Sequence, residues 1–322
     1  MKDFWQNINK PIVALAPMDG YTDSAYRQVV KKIAPDVMCF SEFYSADGLV
    51  HSKFLADSVL PHNESEKPLI IQIFGKDPEM FARARQIIER YNIAGIDINM
   101  GCPAKKVVKS GHGSGLIINQ DTAFKIIETI NKATKLPISV KTRLSFDGGE
   151  GLYDFAKGLE NAGASLITVH GRTAKQAYTG IADFTQIYEL KNHLKIPVVC
   201  NGDIKNFDDG ISKLKNLDGF MIGRGSFGNP WAFLPGNYKP TLGEILDIME
   251  FHAAKLMETK GEKKGSLEVR KHLVLYLRDF PGVKNYRKSM VTVNNLIEVQ
   301  NVINQIKSDY ISSLNLKTFE IE

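Results

Sequence analysis

The chain has 322 residues, with 41 lysines and arginines against 36 aspartates and glutamates, so its formal net charge is +5. A hydrophobic fraction of 43% and a charged fraction of 24% are typical of a folded chain and exclude intrinsic disorder. The three cysteines form no CxxC pair, which argues against a disulfide framework and a zinc site. No apolar run reaches the ~18 residues of a membrane span, and the first residues do not resemble a signal peptide, so we expect a cytoplasmic protein.

Residues 11–225 alternate short apolar runs with amphipathic segments. The runs are mostly rich in β-branched residues, as in parallel strands buried on both faces, and Asp77 and Pro78 suit the start of a helix between two of them. Eight strands with crossover helices predict an α/β fold, a (β/α)8 TIM barrel, since a doubly wound sheet usually has fewer strands. The predicted strands cover residues 12–16, 37–40, 69–74, 96–99, 138–142, 166–170, 198–201 and 219–222, and predicted helices include 78–91, 120–134, 151–163 and 206–216.

The pattern changes near residue 235, where Pro235, Gly236 and Pro240 interrupt the chain and the strand-like runs end. Apolar residues spaced three and four apart then predict helices over residues 242–260, 267–279 and 286–307. We therefore expect two domains, a TIM-barrel catalytic domain at residues 1–238 and a C-terminal all-helical domain at residues 239–322.

Polar and glycine residues stand at the carboxyl ends of seven predicted strands, which is where a barrel builds its active site. Any one of these residues alone is compatible with a hydrogen-bonded polar group in the core. Seven strands that all end in such residues at one mouth favour a functional site. These strand-end residues are Pro17, Met18 and Asp19, then Gln72, Asn99, Lys141, Arg143, His170, Arg172, Asn201, Gly202, Asp203, Gly223 and Arg224.

The turns after the last two strands are rich in glycine, and these two loops often bind phosphate in barrels. Gly202 and Gly223 allow backbone N–H groups to approach a phosphate, and Arg224 adds a charge-assisted hydrogen bond. Lys141 and His170 then suit the ring system or the ribityl chain of flavin mononucleotide, FMN.

Cys102 differs from the other two cysteines. Cys39 and Cys200 lie within apolar runs and fit inert core positions, whereas Cys102 lies on a turn at the predicted barrel mouth. Three lysines occur within the next seven residues, and nearby cations favour a thiolate. On these grounds three roles remain open for Cys102, which are nucleophile, redox thiol and general acid.

Taken together, these segments resemble the tRNA-dihydrouridine synthase family, in the right order over nearly the whole chain. Two departures, Asp19 and the segment 40–44, bear on subfamily and target position rather than on chemistry. The matching segments are Ala16-Pro17-Met18, Asn99-Met100-Gly101-Cys102-Pro103, Val140-Lys141-Thr142-Arg143, His170-Gly171-Arg172-Thr173, Asn201-Gly202-Asp203-Ile204, Gly223-Arg224-Gly225 and, in the tail, Arg270-Lys271-His272 with Tyr276.

The resemblance implies an FMN-dependent enzyme that reduces the C5=C6 bond of specific tRNA uridines to 5,6-dihydrouridine, with NADPH as electron donor. It implies that hydride reaches C6 from reduced flavin and that Cys102, the catalytic residue, protonates C5. It further implies that FMN is bound by Pro17, Met18, Asp19, Gln72, Lys141, His170, Asn201, Gly202, Asp203, Gly223 and Arg224, and the tRNA substrate by Asn99, Arg143, Arg172, Arg270, Lys271 and His272. We expect no metal and a monomer.

The placement of charge supports an RNA partner independently of the resemblance. Residues 263–288 hold eight cations against Glu268 and Asp279, a net +6, which leaves −1 for the rest of the chain. Tyr276 and Tyr286 lie among these cations and suit stacking on exposed bases. A solvated helix face would explain the segment alone, but beside an active-site mouth it favours an RNA-binding surface.

Three other functions remain open. The first is an FMN-dependent barrel oxidoreductase that acts on a small pyrimidine or enone, with the tail as a dimerisation element. The second is a lyase that forms a Schiff base on Lys141. The third is an RNA-binding chaperone with the barrel as scaffold, which would have no reason to keep Gln72, Lys141, His170 and Cys102 together.

Overall fold

Eight parallel strands pair in chain order, and the last pairs with the first, so the sheet closes into a barrel in the computed structural model. The structure describes residues 4–149, 151–278 and 282–319. With helices between the strands, this confirms the predicted TIM barrel. The strands are β1 (Ile12–Leu15), β2 (Met38–Ser45), β3 (Leu69–Phe74), β4 (Gly95–Asn99), β5 (Ile138–Arg143), β6 (Leu166–His170), β7 (Val198–Asn201) and β8 (Gly219–Ile222).

Seven strands have ends within one residue of the predicted ones, because each is a short apolar run buried on both faces. The exception is β2, which continues to Ser45 instead of ending at Phe40. A register shift between Phe40 and Phe43 marks a bulge there, and it lets the strand continue through the polar Ser41 and Glu42.

Among the described residues, ten helices surround the barrel or lie in its loops. Asp77 caps α4 as predicted, since its side chain accepts a hydrogen bond from the Glu79 N–H and Pro78 stands at the first position. These helices are α1 (Ser24–Ile33), α2 (Ala46–His51), α3 (Lys53–Val59), α4 (Pro78–Ile88), α5 (Lys105–Lys109), α6 (Gly115–Ile118), α7 (Gln120–Ala133), α8 (Leu152–Ala162), α9 (Thr185–His193) and α10 (Phe207–Ser212). Short 3-10 helices span Phe4–Gln6, Glu64–Glu66, Glu89–Tyr91, Arg224–Ser226 and Pro230–Phe233.

The part of the tail that the structure describes contains four helices, α11 (Leu242–Lys260), α12 (Glu262–Tyr276), α13 (Val283–Met290) and α14 (Leu296–Phe319). The first has the predicted ends, with a capping box of Thr241 and Glu244. The second begins five residues earlier than predicted, because its first turn is exposed and charged and carries no apolar periodicity. The predicted helix at 286–307 is two helices, and Asn295 accepts the Glu298 N–H at the start of the second. No described helix is long and apolar enough to cross a bilayer.

The apolar core of the tail includes residues of the barrel. Ala25 and Val29 of α1 pack with Trp231 against Leu246 and Leu273 of α11 and α12. A boundary after residue 238 remains a prediction, because this shared core joins the tail to the barrel. Removing the tail would expose the apolar face of α1.

Buried rings lie where α1 meets α11 and α12. His252 and His272 have ring centroids 4.5 Å apart, and Tyr26 lies 5.7 Å from His272. Burial lowers the pKa of His252 to about 4, although Asp23 opposes the shift. Burial and the neighbouring His252 lower the pKa of His272 well below its usual value. Both imidazoles are therefore neutral at physiological pH.

These imidazoles predict acid sensitivity. In the unfolded chain His252 binds a proton near its ordinary pKa of 6.5, whereas in the folded chain it does so only near 4. The free energy of unfolding therefore falls as the pH is lowered from about 6.5 towards 4. His252 alone should lower the free energy of unfolding by about 2 kcal/mol between pH 7 and pH 5. Urea unfolding of His252→Gln should show a weaker loss between these pH values than the wild type.

His193→Gln provides the control, because it removes an exposed imidazole of α9 that is not one of the buried rings. Equal pH dependence in His252→Gln and the wild type would contradict this account of the interface.

Candidate active site at the barrel mouth

A cleft of about 720 Å³ opens at the carboxyl ends of the strands, a volume typical of small-molecule sites. It brings together most of the residues that the sequence analysis selected from seven separate strands. Those that line it are Pro17, Met18, Asp19, Asn99, Cys102, Lys141, Arg143, His170, Asn201, Gly202, Asp203, Gly223 and Arg224.

One edge of the cleft is a cradle of backbone N–H groups from the turns after β7 and β8. Within the described chain, the N–H groups of the cradle donate to no protein acceptor. At Gly202, φ is +116° and a Cβ atom would lie 2.8 Å from His170 Cδ2, so only glycine fits there. The cradle is formed by Gly202, Asp203, Gly223, Arg224 and Gly225.

The Asp203 carboxylate joins the two turns to the loop after β6. Its Oδ2 accepts hydrogen bonds from Arg172 Nη2 at 2.5 Å and from the Ala182 N–H at 3.0 Å, and its Oδ1 accepts from Arg224 Nη2 at 3.2 Å. Burial alone would raise the pKa of Asp203, but the bonds from Arg172 and Ala182 lower it below its usual value. Asp203 is thus an anion that fixes three loops around the cradle.

His170 is a neutral hydrogen-bonding group in the cleft. Burial, followed by the charges of Lys141 and Arg143, lowers its pKa to about 2. Arg172 Nη1, which can only donate, lies 3.2 Å from His170 Nε2, so the ring proton is on Nδ1. Arg172 itself is 2% exposed and does not line the cleft, so the structure gives it a positioning role in place of the predicted substrate contact.

Lys141 and Arg143 follow each other on the cleft wall. Burial and the charge of Arg143 lower the pKa of Lys141 to about 8. The Lys141 carbonyl accepts the Met100 N–H at 2.8 Å, whereas its ammonium group makes no hydrogen bond or ion pair with any residue that the structure describes. Lys141 lines the cleft. Arg143 donates from Nε to the Gly101 carbonyl at 2.7 Å and also lines the cleft.

Cys102 lies half-buried on a turn that two contacts hold in place. Its backbone N–H donates to Asn99 Oδ1 at 2.9 Å, and its carbonyl accepts from the Ser114 N–H at 3.1 Å. A Cβ atom at Gly113 would lie 2.9 Å from that carbonyl oxygen, so the loop packs tightly against the turn. Cys39 and Cys200 are buried, as expected for inert core positions.

Gln72 does not line the cleft but lies fully buried beneath it. Its Nε2 donates to Asp97 Oδ2 at 2.6 Å, and its Oε1 accepts from Asn99 Nδ2 at 2.8 Å. Burial raises the pKa of Asp97 to about 6, against the opposing hydrogen bonds from Ser139 and Gln72 and the charge of Lys141. At neutral pH Asp97 is therefore a carboxylate inside the barrel.

The predicted RNA-binding residues of α12 contact the protein itself. Lys271 Nζ donates to the Gly20 carbonyl and lies 4.7 Å from the centroid of the Tyr21 ring. His272 is 1% exposed among the buried rings, and Arg270 Nη2 donates to the Val293 carbonyl at 2.9 Å. His272 is therefore too deeply buried to contact RNA, and Lys271 joins the tail to the loop after β1.

Of the two tyrosines expected to stack on bases, Tyr276 is 5% exposed and its hydroxyl lies 2.9 Å from His252 Nδ1. It belongs to the interface between barrel and tail. Tyr286 is half-buried and donates to Asp309 Oδ2 at 2.7 Å. Asp279, counted in the basic segment, lies outside the described residues.

Four aromatic residues that the sequence analysis missed also line the cleft. Tyr21 and Phe227 stack with centroids 4.1 Å apart, and Phe43 lines the wall beside Cys102. Tyr178 is 60% exposed, and the guanidinium groups of Arg143 and Arg224 lie 5.8 and 5.1 Å from its ring centroid. All four follow or end barrel strands, and that position is the signal that could have identified them.

A groove of about 640 Å³ adjoins the cleft on the tail side and shares Lys205, Arg224, Gly225 and Phe227 with it. Lys205, Arg224, Lys239 and Arg278 line it, and no described acidic residue does. The described residues contain no group of three or more side chains that could hold a metal ion.

A family model described as dihydrouridine synthase matches residues 14–312. A probable tRNA-dihydrouridine synthase 1 of Synechocystis is 36% identical over 305 residues, which cover 91% of this chain and 85% of the relative. A probable tRNA-dihydrouridine synthase of Rickettsia conorii is 33% identical over 319 residues, which cover 95% of this chain and 96% of the relative.

Among solved structures, a 2-naphthoyl-CoA reductase complex matches with a TM-score of 0.54 at 12% identity. The match covers 82% of this chain and only 53% of that structure, and it shows a likeness of fold. The family model and the relatives cover almost the whole chain, barrel and tail together, so the chain belongs to the dihydrouridine synthase family and is an oxidoreductase.

Proposed function

We propose that the protein reduces the C5=C6 bond of specific uridines in tRNA to 5,6-dihydrouridine, with FMN as cofactor, Cys102 as proton donor and NADPH as electron donor. The observation that carries the proposal is that Cys102 lines the same cleft as Lys141, His170 and the cradle. The names of the Synechocystis and Rickettsia relatives point to the same substrate.

The residues of the cleft fit FMN. The free N–H groups of the cradle and the Arg224 guanidinium suit the phosphate. The Lys141 ammonium group makes no hydrogen bond within the described chain, and His170 carries its proton on Nδ1, so both can donate to the carbonyl oxygens of the flavin ring or to the ribityl hydroxyls. We propose that Pro17, Met18, Asp19, Asn201, Gly202, Asp203 and Gly223 complete this site, with Gln72 acting from beneath through Asn99.

Reduction adds one hydride and one proton across the C5=C6 bond. FMN held by these residues would supply the hydride for C6, with NADPH as its reductant. The Cys102 thiol holds the proton that C5 receives, and its turn is fixed from below by Asn99. The three lysines of α5 are exposed and none of them lines the cleft, and we propose that they face the tRNA backbone.

Asn99 and Arg143 line the cleft next to the Cys102 turn, and we propose that they contact the uracil. Each is already held by the protein, Asn99 through Gln72 and Arg143 through the Gly101 carbonyl. Groups fixed in this way bind and orient a base without reorganisation during the reaction.

The groove beside the cleft supports tRNA as the source of the uracil. Lys205, Lys239 and Arg278 face no acidic lining residue among those described, and they suit the phosphates of a strand. A uridine reduced inside the barrel must leave its stack, and a groove that joins the cleft at Arg224 lets the flanking backbone remain outside. A small free pyrimidine would need no such groove.

Purified protein should be yellow, its visible flavin absorbance should bleach with NADPH under anaerobic conditions, and unmodified tRNA should restore it. Free uridine at the same concentration should restore it far more slowly, because the groove then contributes no binding. Colourless protein that gains no absorbance from added FMN would contradict the proposed cofactor.

Cys102→Ala should keep flavin binding and its bleaching by NADPH, because Cys102 takes no part in the hydride supply. Restoration of absorbance by tRNA should slow by about 100-fold or more, the usual worth of a general acid. Stopped-flow absorbance measures both steps separately. Cys200→Ala, which removes a buried thiol elsewhere, should leave both rates unchanged, and full activity in Cys102→Ala would remove the acid role.

Arg278→Ala should weaken tRNA binding about tenfold, because the variant loses one phosphate contact. The slope of log K against log salt concentration should also become shallower by about 1. Filter binding at several salt concentrations measures both. Lys135→Glu changes an exposed cation between α7 and β5, at the opposite end of the barrel, and should bind tRNA like the wild type. Unchanged binding in Arg278→Ala would argue that the groove does not hold the tRNA.

A further inference from the structure

A chain of buried hydrogen bonds runs beneath the cleft, through three neighbouring strands, to the Cys102 turn. Gln72, Asp97 and Ser139 occupy matched register positions on β3, β4 and β5, and all three are fully buried. Asp97 Oδ1 accepts from Ser139 Oγ at 2.5 Å, and Asp97 Oδ2 accepts from Gln72 Nε2 at 2.6 Å. Asp97 does not line the cleft, so no direct contact with a ligand explains it.

The chain continues from Gln72 to the turn through Asn99. Gln72 Oε1 accepts from Asn99 Nδ2 at 2.8 Å. Asn99 Oδ1 then accepts the N–H groups of Gly101 at 3.1 Å and Cys102 at 2.9 Å. Two amide side chains thus connect the carboxylate to the backbone of the residue proposed to donate the proton.

An amide has a donor end and an acceptor end, whereas a carboxylate only accepts. Asp97 therefore requires the NH2 group of Gln72, which turns Gln72 Oε1 towards Asn99. Asn99 must offer its NH2 group there, which leaves Asn99 Oδ1 facing the two backbone N–H groups. If either amide were reversed, an N–H group would face another N–H group at one of its contacts, and two oxygen atoms would face each other at the other contact.

We propose that Asp97 is a positioning residue for Cys102: by accepting from Gln72 it sets the orientation of two amides in series, and these hold the turn that carries the thiol. The inference rests on the proposed function, because it treats the thiol as the proton donor. A misplacement of about 1 Å at a reacting group is enough to slow a reaction by about 100-fold, so a fixed turn matters for the rate.

A different role for Asp97 would be to balance the charge of Lys141, since the two groups interact. Substitutions separate these roles. Asp97→Asn removes the charge, yet its Oδ1 can accept from Gln72 Nε2 while its Nδ2 donates to Ser139 Oγ. Asp97→Leu and Asp97→Ala remove both the charge and the acceptor. Only Asp97→Asn therefore keeps the acceptor that sets the orientation of the two amides.

The test measures two rates per bound flavin in each variant, bleaching by NADPH and restoration of absorbance by tRNA. Asp97→Leu or Asp97→Ala should bleach within about threefold of the wild type but recover about 10- to 100-fold more slowly. Asp97→Asn should keep both rates within about threefold, because its acceptor remains. Ser139→Ala, which leaves the link from Asp97 to Gln72 intact, should behave like Asp97→Asn.

Slow recovery in Asp97→Asn would overturn the proposal in favour of charge balance. Equal slowing of both rates in the Leu and Ala variants, or loss of flavin from both, would overturn it in favour of a role in folding. Wild-type protein that tRNA fails to reoxidise would contradict the proposed function instead, and that result is seen before any variant is compared.

Discussion

Closure of the sheet is the constraint on which the site depends. Eight parallel strands that form one barrel direct all their carboxyl ends to a single mouth, so residues from Pro17 to Arg224 meet in one cleft. The interior below the mouth must then accept polar groups as well as aliphatic ones. Gln72 shows how such groups are satisfied, because it donates to the Asp97 carboxylate and accepts from Asn99.

The lining of the mouth carries more cations than acids. Lys141, Arg143, Lys205 and Arg224 line the cleft against Asp19 and Asp203, and Asp203 pairs with Arg224. These cations, together with burial, keep His170 neutral, so it adds a hydrogen-bond donor without adding to the repulsion. A site of this kind favours an anionic ligand with several acceptors, and the same excess of positive charge continues along the groove towards the tail.

The sequence predicted those parts of the fold that local patterns determine. Short apolar runs gave seven strands, and strand-end residues such as Cys102 and Lys141 gave the cleft, because in a barrel position along a strand also fixes position in space. The bulge of β2 was not predicted, since its polar residues resemble a loop. The exposed start of α12 lacks an apolar face, so periodicity did not reveal it.

The tail shows where residue type was a poor guide. Arg270, Lys271 and His272 suggested an RNA surface, but the phase of α12 turns His272 into the core and Lys271 towards the loop after β1. Two turns further on, Arg278 lines the groove. The direction of a side chain depends on what the helix packs against, and that long-range contact with α1 has no local signal in the sequence.

We propose that this cleft reduces uridine in tRNA by means of Cys102. The experiment is to incubate unmodified tRNA with the protein, FMN and NADPH, digest the RNA to nucleosides and measure dihydrouridine by mass spectrometry. The wild-type protein should produce dihydrouridine at defined positions, and Cys102→Ala should produce almost none. Absence of dihydrouridine with the wild type, or equal amounts with both proteins, would contradict it.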